Sequence, residues 1–268
     1  MIPSDRVDII VPSYLNEQLT AACFRSIKAC TDPASYRILW MDNGTKDLSI
    51  VLAELSGVDH IHTTLASNQG FVTAINKGLA ISTGKMVCLL NNDTVVSPRW
   101  LEKLKAVLLA NDKLGIVGPL TDYYRGPDKG ATSMDSHHSL TLHNTLLPPE
   151  AKDGWDLERI NCELERRYAA RTQPIAFVAF LCALIKREVL DKVGFLDPNY
   201  AMGMYDDNDY NNAAREAGFT CELAIDTCIY HRGRSTFSIL EKKEGLNVHQ
   251  LLAQNRAYMD RKWKGRIR

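Results

Sequence analysis

Several features that would each point to a particular class of protein are missing from this sequence. Among its 268 residues, lysine plus arginine (32) balance aspartate plus glutamate (32), so no net charge favours binding to nucleic acid. The longest apolar stretch, Ile175 to Ile185, is too short to span a bilayer. The N-terminus enters a strand pattern directly and shows no signal peptide. These absences predict a soluble, cytoplasmic protein.

Cysteine pairs and the glycine-rich nucleotide signatures are also missing. The seven cysteines include no C-x-x-C pair, and their odd number favours a reducing compartment over a disulfide framework. No G-x-G-x-x-G occurs, which argues against a dinucleotide oxidoreductase. The segment Gly78 to Lys85 resembles a P-loop, but its spacer is one residue too long and it precedes a strand. We therefore reject a P-loop there.

Strand and helix patterns alternate along the chain. Alternation at this rhythm predicts an α/β fold with a mostly parallel sheet and right-handed crossovers. Strands are predicted at Val7–Tyr14, Arg37–Met41, Val58–Thr64, Met86–Leu90, Leu114–Pro119, Ile175–Ile185 and Thr220–Asp226. Helical spacing is found at Leu19–Cys30, Leu48–Leu55, Phe71–Ile81, Leu157–Ala170, Lys186–Val193 and Tyr210–Ala217, and again after residue 240.

The predicted strand Met86–Leu90 is apolar throughout and is followed by Asn91, Asn92 and Asp93. A continuous apolar run is typical of a strand that is covered on both faces. Polar groups at its carboxyl end are costly unless a ligand needs them, and ligands of open α/β sheets bind at that edge. One carboxylate among amides suits a hard divalent cation shared with a phosphate group. A turn rich in Asn and Asp is the alternative.

Similar polar groups follow other predicted strands, and an acidic pair opens a later helix. Each group is ordinary by itself, but their order along the predicted strands and helices indicates a single site. The groups are Pro12-Ser13-Tyr14 with Glu17, Asp42-Asn43-Gly44, Asp206-Asp207, and His231 with Arg232, Arg234 and Ser235.

These segments resemble, as an ordered set, the family 2 glycosyltransferases, which are nucleotide-sugar enzymes of GT-A fold. The resemblance is strongest to the bacterial branch that includes rhamnosyltransferase-like enzymes of polysaccharide biosynthesis. It covers about residues 7–120 and 173–240. The matching text is DIIVPSY, MDNGTKD, NQGFVTAINKGL, GKMVCLLNNDTVVSPRWLEKL, IVGPLTD, FLCALIKREVLDKVGFLD, MYDDNDYNNAAREAGF and DTCIYHRGRSTF.

The resemblance implies a role for each matching residue. Asp93 would bind a divalent cation, Mn²⁺ or Mg²⁺, and His231 would complete the metal site. Asp207 would be the general base that takes the proton of an acceptor hydroxyl. Residues expected to bind the nucleotide-sugar donor are Pro12, Tyr14, Glu17, Asp42, Asn68, Asn91, Asn92, Arg232, Arg234 and Ser235.

Two departures from the family pattern leave alternatives open. Asn91 replaces the first Asp of the family's D-x-D motif, which lowers the charge of the metal site. Asp206 replaces the usual Glu, so the base is either Asp207 or, if the match is displaced by one residue, Asp206. Asp42 is alternatively a turn residue, and His231 alternatively a structural histidine.

The function implied is that of an inverting, metal-dependent glycosyltransferase that moves a sugar from a nucleoside-diphosphate sugar to an acceptor hydroxyl. A sugar nucleotidyltransferase and a non-catalytic nucleotide-sugar-binding module are the alternatives. The acceptor would be a glycan, a lipid-linked glycan or a protein, and no nucleic acid partner is expected. The sequence does not indicate which sugar or nucleotide is used.

The predicted organisation is a single Rossmann-like GT-A domain over residues 1–240, with an insert on the acceptor side. Its nucleotide-binding half is expected at about 1–120, the acceptor region at about 121–172 and the catalytic half at about 173–240. Residues 241–268 form a C-terminal helix and basic tail, with weak contact to a membrane surface as a secondary expectation.

Overall fold

The computed structural model describes residues 6–122, 157–233 and 235–266 of the chain. Strands and helices alternate through its first half. They are β1 (Val7–Ser13), α1 (Glu17–Cys30), β2 (Tyr36–Asp42), α2 (Leu48–Glu54), β3 (His60–Thr64), α3 (Phe71–Ile81), β4 (Met86–Leu90), β5 (Thr94–Val96), α4 (Trp100–Leu109) and β6 (Leu114–Asp122). The second half contains α5 (Leu157–Tyr168), β7 (Thr172–Pro174), β8 (Cys182–Lys186), α6 (Arg187–Val193), α7 (Asp206–Glu216), β9 (Thr220–His231), α8 (Ser235–Glu244) and α9 (Val248–Trp263).

The strands of the described residues form one sheet in the order β3-β2-β1-β4-β8-β6-β9-β5, with β7 paired to β9. Pairing is parallel from β3 through β4 and between β6 and β9. Strand β8 runs antiparallel to both of its neighbours, and β5 and β7 run antiparallel to β9. The α/β class with helices around a twisted sheet is confirmed.

Helices cover both faces of the sheet because its central strands are apolar on both sides. Along β1, Ile9 packs with helices α1, α2 and α4, whereas its neighbour Ile10 packs with α3, α6 and α7. Adjacent residues of a strand point to opposite faces, so one short strand contributes to both hydrophobic layers. The carboxyl ends of β1 and β4 are therefore held rigidly within the sheet.

The prediction of a strand over Ile175–Ile185 is wrong in its first part. Only Cys182–Lys186 forms a strand, and residues 175–181 lie outside the sheet. The backbone N–H of Val178 donates to the side-chain oxygen of Asn211 at 3.0 Å, and its carbonyl accepts from the Asn211 amide at 2.9 Å. The Asn211 side chain thus satisfies the peptide groups of Val178 without a neighbouring strand, whereas the Ile175 N–H donates to the Cys221 carbonyl of β9 at 3.0 Å.

Strand β9 continues five residues beyond the end predicted at Asp226 and reaches His231. A register shift between Pro119 and Leu120 of β6 accommodates this length. Helix α8 runs across residue 240, where the sequence predicts the end of the catalytic domain, and that division stays a prediction. No helix among the described residues is long and apolar enough to cross a membrane.

One buried carboxylate joins three segments at the amino ends of the strands. Asp8 of β1 accepts hydrogen bonds from the Arg37 side chain at 2.9 Å and from the backbone N–H groups of Thr83 and Gly84 at 2.6 and 2.8 Å. Asp8 is only 3% exposed. A buried ion pair is strongly destabilising when one partner is removed.

We expect Asp8→Asn to lower the free energy of unfolding by about 3 kcal/mol, because an amide cannot serve both Arg37 and the two backbone donors. Asp59→Asn is the matched control, since Asp59 also pairs with an arginine (Arg6, 2.6 Å) but its side chain is 52% exposed. It should cost less than about 1 kcal/mol. Urea unfolding of both variants measures the difference, and equal losses would contradict the role given to Asp8.

Candidate active site

A cavity of about 300 Å³ opens at the carboxyl ends of β1 and β4. Its lining comes from widely separated parts of the chain: the ends of both strands, the segment 177–181, the start of α7, and the first turns of α8. This is the edge at which ligands bind in open α/β sheets. The residues predicted from polar groups at strand ends therefore converge, in the main, on one cavity.

Asp93 and His231 form the most defined polar pair in the cavity. The Nε2 atom of His231 lies 3.1 Å from Oδ1 of Asp93, and the Asn91 amide lies 3.4 Å from the same ring nitrogen. Antiparallel pairing of β5 with β9 sets Thr94 opposite His231, and the Arg232 N–H donates to the Asp93 carbonyl at 3.0 Å. The backbone thus fixes this pair, although 138 positions separate its members in the chain.

The Asp93 carboxyl remains ionised despite its burial. Burial by itself would raise its pKa, but the hydrogen bond and the attraction of the neighbouring His231 imidazole outweigh it, and the pKa is lowered. Asn92, the residue between Asn91 and Asp93, also lines the cavity, and its side-chain nitrogen donates to the Thr20 hydroxyl at 2.8 Å. This bond ties the Asn91-Asn92-Asp93 segment to α1.

The start of α7 brings two further carboxylates to the cavity. Asp206 is 5% exposed and Asp207 is half-buried, and both line the cavity. Burial, and then the negative charge of Asp207, raise the pKa of Asp206 well above its usual value. Within the part of the chain described, Oδ2 of Asp206 has no hydrogen-bond partner. Burial and the neighbouring charge thus favour the protonated form of Asp206.

Carboxylates outnumber basic side chains in the described lining of the cavity. Asp93, Asp206 and Asp207 line it, whereas no lysine or arginine is found among its described lining residues. The other polar groups are amides, hydroxyls and the imidazole of His231. An anionic ligand would meet an unfavourable field there unless a cation accompanied it.

Comparison with known proteins gives the family. A model of the family described as glycosyl transferase family 2 matches residues 8–194, which is more than half of the chain. The chain belongs to this family. The predicted membership is thereby confirmed, and the bacterial polysaccharide branch stays a prediction.

Individual relatives are distant. An uncharacterized protein, y4gI, of Sinorhizobium fredii is 26% identical over 96% of this chain and 27% of its own length. The glycosyltransferase AglE of Haloferax volcanii is 22% identical over 88% of this chain and 70% of its own length. The chain thus spans about a quarter of the first relative.

The fold itself is that of a solved mannosyltransferase from Pyrobaculum calidifontis, described in complex with GDP-Man and Mn²⁺. That structure has a TM-score of 0.58 and 17% sequence identity, covering 95% of this chain and 69% of the other. The predicted GT-A fold is confirmed.

The donor atoms that the cavity offers to a divalent cation are the Asp93 carboxylate and the His231 imidazole, which lie side by side. Among the described residues no group of three or more His, Cys, Asp and Glu side chains converges. The carboxylate suits Mn²⁺ or Mg²⁺, and the other positions of such an ion would be left to water and substrate phosphate.

Four further lining residues come from the ends of β1 and β2 and from the loop before α3: Pro12, Tyr14, Asn43 and Asn68. The Tyr14 hydroxyl hydrogen-bonds to the carboxylate of Glu244 in α8, and this bond, followed by burial, raises the pKa of Tyr14 to about 12. The Asn43 side chain accepts from the Gln69 N–H at 3.1 Å. The loop before α3 is thereby fixed beside the cavity, and Asn68 with it.

Three other predicted donor-binding residues are not placed in the cavity lining. Glu17 accepts from the Lys46 N–H at 2.8 Å, and Arg232 is exposed. Asp42 accepts from the N–H groups of Gly44 and Thr45 at 3.0 and 2.7 Å and lies 3.4 Å from His62, which corresponds to the turn alternative. The remaining predicted residue, Arg234, lies outside the described residues.

Sequence reasoning missed two walls of the cavity. Phe177 and Phe180 lie in the segment that the apolar pattern assigns to a strand, and for Phe180 the available signal was its position at the start of the family-like segment FLCALIKREVLDKVGFLD. Phe237 and Leu240 come from α8, directly after the polar segment at His231. Phe237 ends the family-like segment DTCIYHRGRSTF, and that position was the available signal.

The raised pKa of Asp206 predicts how its contribution to the free energy of unfolding changes with pH. Below about pH 4 the carboxyl is protonated in both states. As pH rises, it ionises in the unfolded chain but not in the folded one, so its contribution to the free energy of unfolding falls. We expect the free energy of unfolding of Asp206→Asn to match that of the wild type near pH 4 and to exceed it at pH 7. The difference at pH 7 should be about 1.4 kcal/mol for each unit by which the pKa of Asp206 is raised.

Thermal unfolding at several pH values measures this difference, with each 1 kcal/mol worth about 2–4 °C. Asp191→Asn, at an exposed position of α6, is the control and should leave the pH profile unchanged. A variant that loses stability relative to the wild type on going from pH 4 to pH 7 would show that Asp206 is ionised in the folded protein.

Proposed function

We propose that this chain is an inverting, metal-dependent glycosyltransferase that moves a sugar from a nucleoside-diphosphate sugar to an acceptor hydroxyl. The observation that carries the proposal is the cavity at the strand ends, in which the Asp93–His231 pair and the Asp206–Asp207 pair occur together without a described lysine or arginine. A diphosphate bound there needs its charge neutralised by something other than the side chains described. A divalent ion on Asp93 and His231 supplies that neutralisation.

Each acidic group then has a distinct task. Asp93, with its pKa lowered beside His231, would help to hold a cation, which would neutralise the charge of the diphosphate as its bond to the anomeric carbon breaks. Asp207 takes the proton of the acceptor hydroxyl while the hydroxyl oxygen bonds to that carbon from the opposite face. Burial raises the pKa of Asp206 and favours its protonated form, which makes Asp207 the better candidate for the base.

We assign the donor to the side of Pro12, Tyr14 and Asn68, with Asn91, Asn92 and Ser235 near the diphosphate. Pro12, Tyr14 and Asn68 line the cavity, and so does Ser235 at the start of α8. Glu17, Asp42, Arg232 and Arg234 stay predicted donor-binding residues. Asp42 and Glu17 shape the loops beside this wall through their hydrogen bonds to backbone N–H groups.

The acceptor is proposed to be a glycan, lipid-linked glycan or protein in cytoplasmic glycan or polysaccharide biosynthesis. Family membership supports the transfer reaction over a sugar nucleotidyltransferase. A non-catalytic binding module would not need the two further carboxylates, Asp206 and Asp207, in the same cavity as Asp93. We assign acceptor recognition to the region 121–172.

Donor hydrolysis tests the proposal and the metal together. The purified chain is screened with UDP-, GDP- and dTDP-sugars in Mn²⁺, Mg²⁺ or EDTA. We expect activity with one donor in a divalent ion and its loss in EDTA, because diphosphate binding needs the ion. Undiminished turnover in EDTA would contradict metal dependence, and hydrolysis of no donor would contradict the function.

Asp93→Ala should remove activity and the metal-dependent part of nucleoside-diphosphate affinity. His231→Ala should raise the metal concentration needed for half-maximal activity and leave the fold intact. His60→Ala is the control, since His60 is also a partly buried imidazole but contacts only the Val58 carbonyl among the bonds described. Loss of folding in His231→Ala without a change in metal response would show that His231 is structural.

The base is tested by Asp207→Asn and Asp206→Asn side by side. We expect Asp207→Asn to bind the donor normally and to transfer sugar about 10²–10⁴-fold more slowly, since it lacks the proton acceptor but keeps its size. Asp206→Asn should retain most activity, because a neutral group replaces a neutral acid. If Asp206→Asn is inactive and Asp207→Asn transfers normally, the two roles are exchanged.

A further inference from the structure

We propose that Asn255, in the C-terminal helix α9, is a positioning residue that holds the backbone leading into Asp206 and Asp207. The inference rests on the proposed function, because it concerns the geometry of the proposed base. It assigns a role in transfer to a helix that lies outside the matched region of the family, which ends at residue 194.

Asn255 makes two hydrogen bonds to consecutive peptide groups. Its side-chain nitrogen donates to the carbonyl of Gly203 at 2.9 Å and to that of Met204 at 3.0 Å. Asn255 is 6% exposed. A primary amide has two N–H groups, so both are used on this one segment, and the bonds act where water is largely excluded.

The segment that Asn255 holds is strained. Gly203, Met204 and Tyr205 have φ values of 97°, 73° and 68°, so three consecutive residues lie in the region that L-amino acids avoid. For each residue other than glycine this costs about 1–2 kcal/mol. Such a conformation persists only when surrounding contacts impose it. Asp206 follows at once as the first residue of α7.

Contacts from the donor side of the cavity meet the same loop. The Val72 N–H of α3 donates to the carbonyl of Ala201 at 3.1 Å. Gly70 packs so closely that a β-carbon there would lie 2.5 Å from that carbonyl oxygen. The loop is thus held between α3 on one side and Asn255 on the other, and loss of one side leaves the strained backbone free to relax.

Helix α9 is itself anchored to both flanks of the loop. Lys262 bridges Asp197, which precedes the loop, and Asp209, which follows it, at 2.7 and 2.8 Å. The Trp263 indole N–H donates to Asp209 at 2.7 Å, and the Tyr258 hydroxyl donates to Asp197 at 2.9 Å. With its helix fixed in this way, the Asn255 amide can set the position of the loop instead of following it.

The test compares Asn255→Leu and Asn255→Ser with Tyr258→Phe in the full chain. Leu keeps the volume but donates no hydrogen bond, and Ser can donate to one carbonyl at most. Tyr258→Phe is the matched control, because it also removes two hydrogen bonds of the same helix, but these join it to Asp197 and Asn199, which lie outside 203–207. The measurements are kcat and KM with the donor found by hydrolysis screening, and hydrogen exchange of residues 203–207 without substrate.

We expect Asn255→Leu to lower kcat about 10–10²-fold, the usual effect of misplacing a reacting group by about 1 Å, with donor KM within about twofold of wild type. Asn255→Ser should be intermediate. Hydrogen exchange at residues 203–207 should be faster in both Asn255 variants than in Tyr258→Phe. This difference should remain even if the three variants have equally lowered melting temperatures. If Asn255→Leu does not fold, Asn255→Ser carries the comparison.

The proposal would be overturned if a folded Asn255→Leu variant kept the wild-type kcat. It would also be overturned if Tyr258→Phe lowered kcat as much as Asn255→Leu does. A wild-type protein that transfers no sugar would instead overturn the proposed function. In that event exchange at residues 203–207 still decides whether Asn255 holds the loop, and exchange no faster than in Tyr258→Phe would overturn the inference.

Discussion

The pairing of β5 with the end of β9 is the constraint on which the site depends. Only three residue pairs join these strands, from Thr94–His231 to Val96–Ile229. They place the carboxyl end of a twelve-residue strand beside the turn that carries Asp93. Backbone hydrogen bonds between the two strands therefore hold the His231 imidazole beside the Asp93 carboxylate. The pair is thus preorganised before any ligand binds.

Three buried or half-buried carboxylates in one cavity would repel one another if all were ionised. The structure avoids this in two ways. His231 stabilises the charge of Asp93, whereas burial and the Asp207 charge raise the pKa of Asp206 and favour its protonated form. The environment thus shifts the pKa values of two chemically identical side chains in opposite directions.

The C-terminal helices complete a cavity that begins at the carboxyl ends of β1 and β4. Helix α8 contributes Ser235, Phe237 and Leu240 to the cavity and meets Tyr14 through Glu244. Helix α9 holds the loop before Asp206 and buries Trp263 against Asp209. Both helices lie beyond the matched family region, so elements outside that region shape the cavity that the family motifs line.

The sequence by itself determined the α/β alternation and the positions of the polar groups at strand ends. Continuous apolar runs such as Met86–Leu90 and the polar triplet after them are local patterns, and local patterns are sufficient to predict a buried strand and the edge where it stops. Asp93, His231, Asp206 and Asp207 were therefore identifiable as candidates, and the structure brings all four to one cavity.

Only the tertiary structure decided which of these groups touch and how each is charged. The apolar run at 175–185 looks the same in sequence whether a strand or the Asn211 side chain satisfies its peptide groups. The burial of Asp206 and the contact of Asn255 with Gly203 depend on helices distant in the chain. Burial, pKa and strain are properties of neighbours brought together by packing, and packing distances are not encoded in any local pattern.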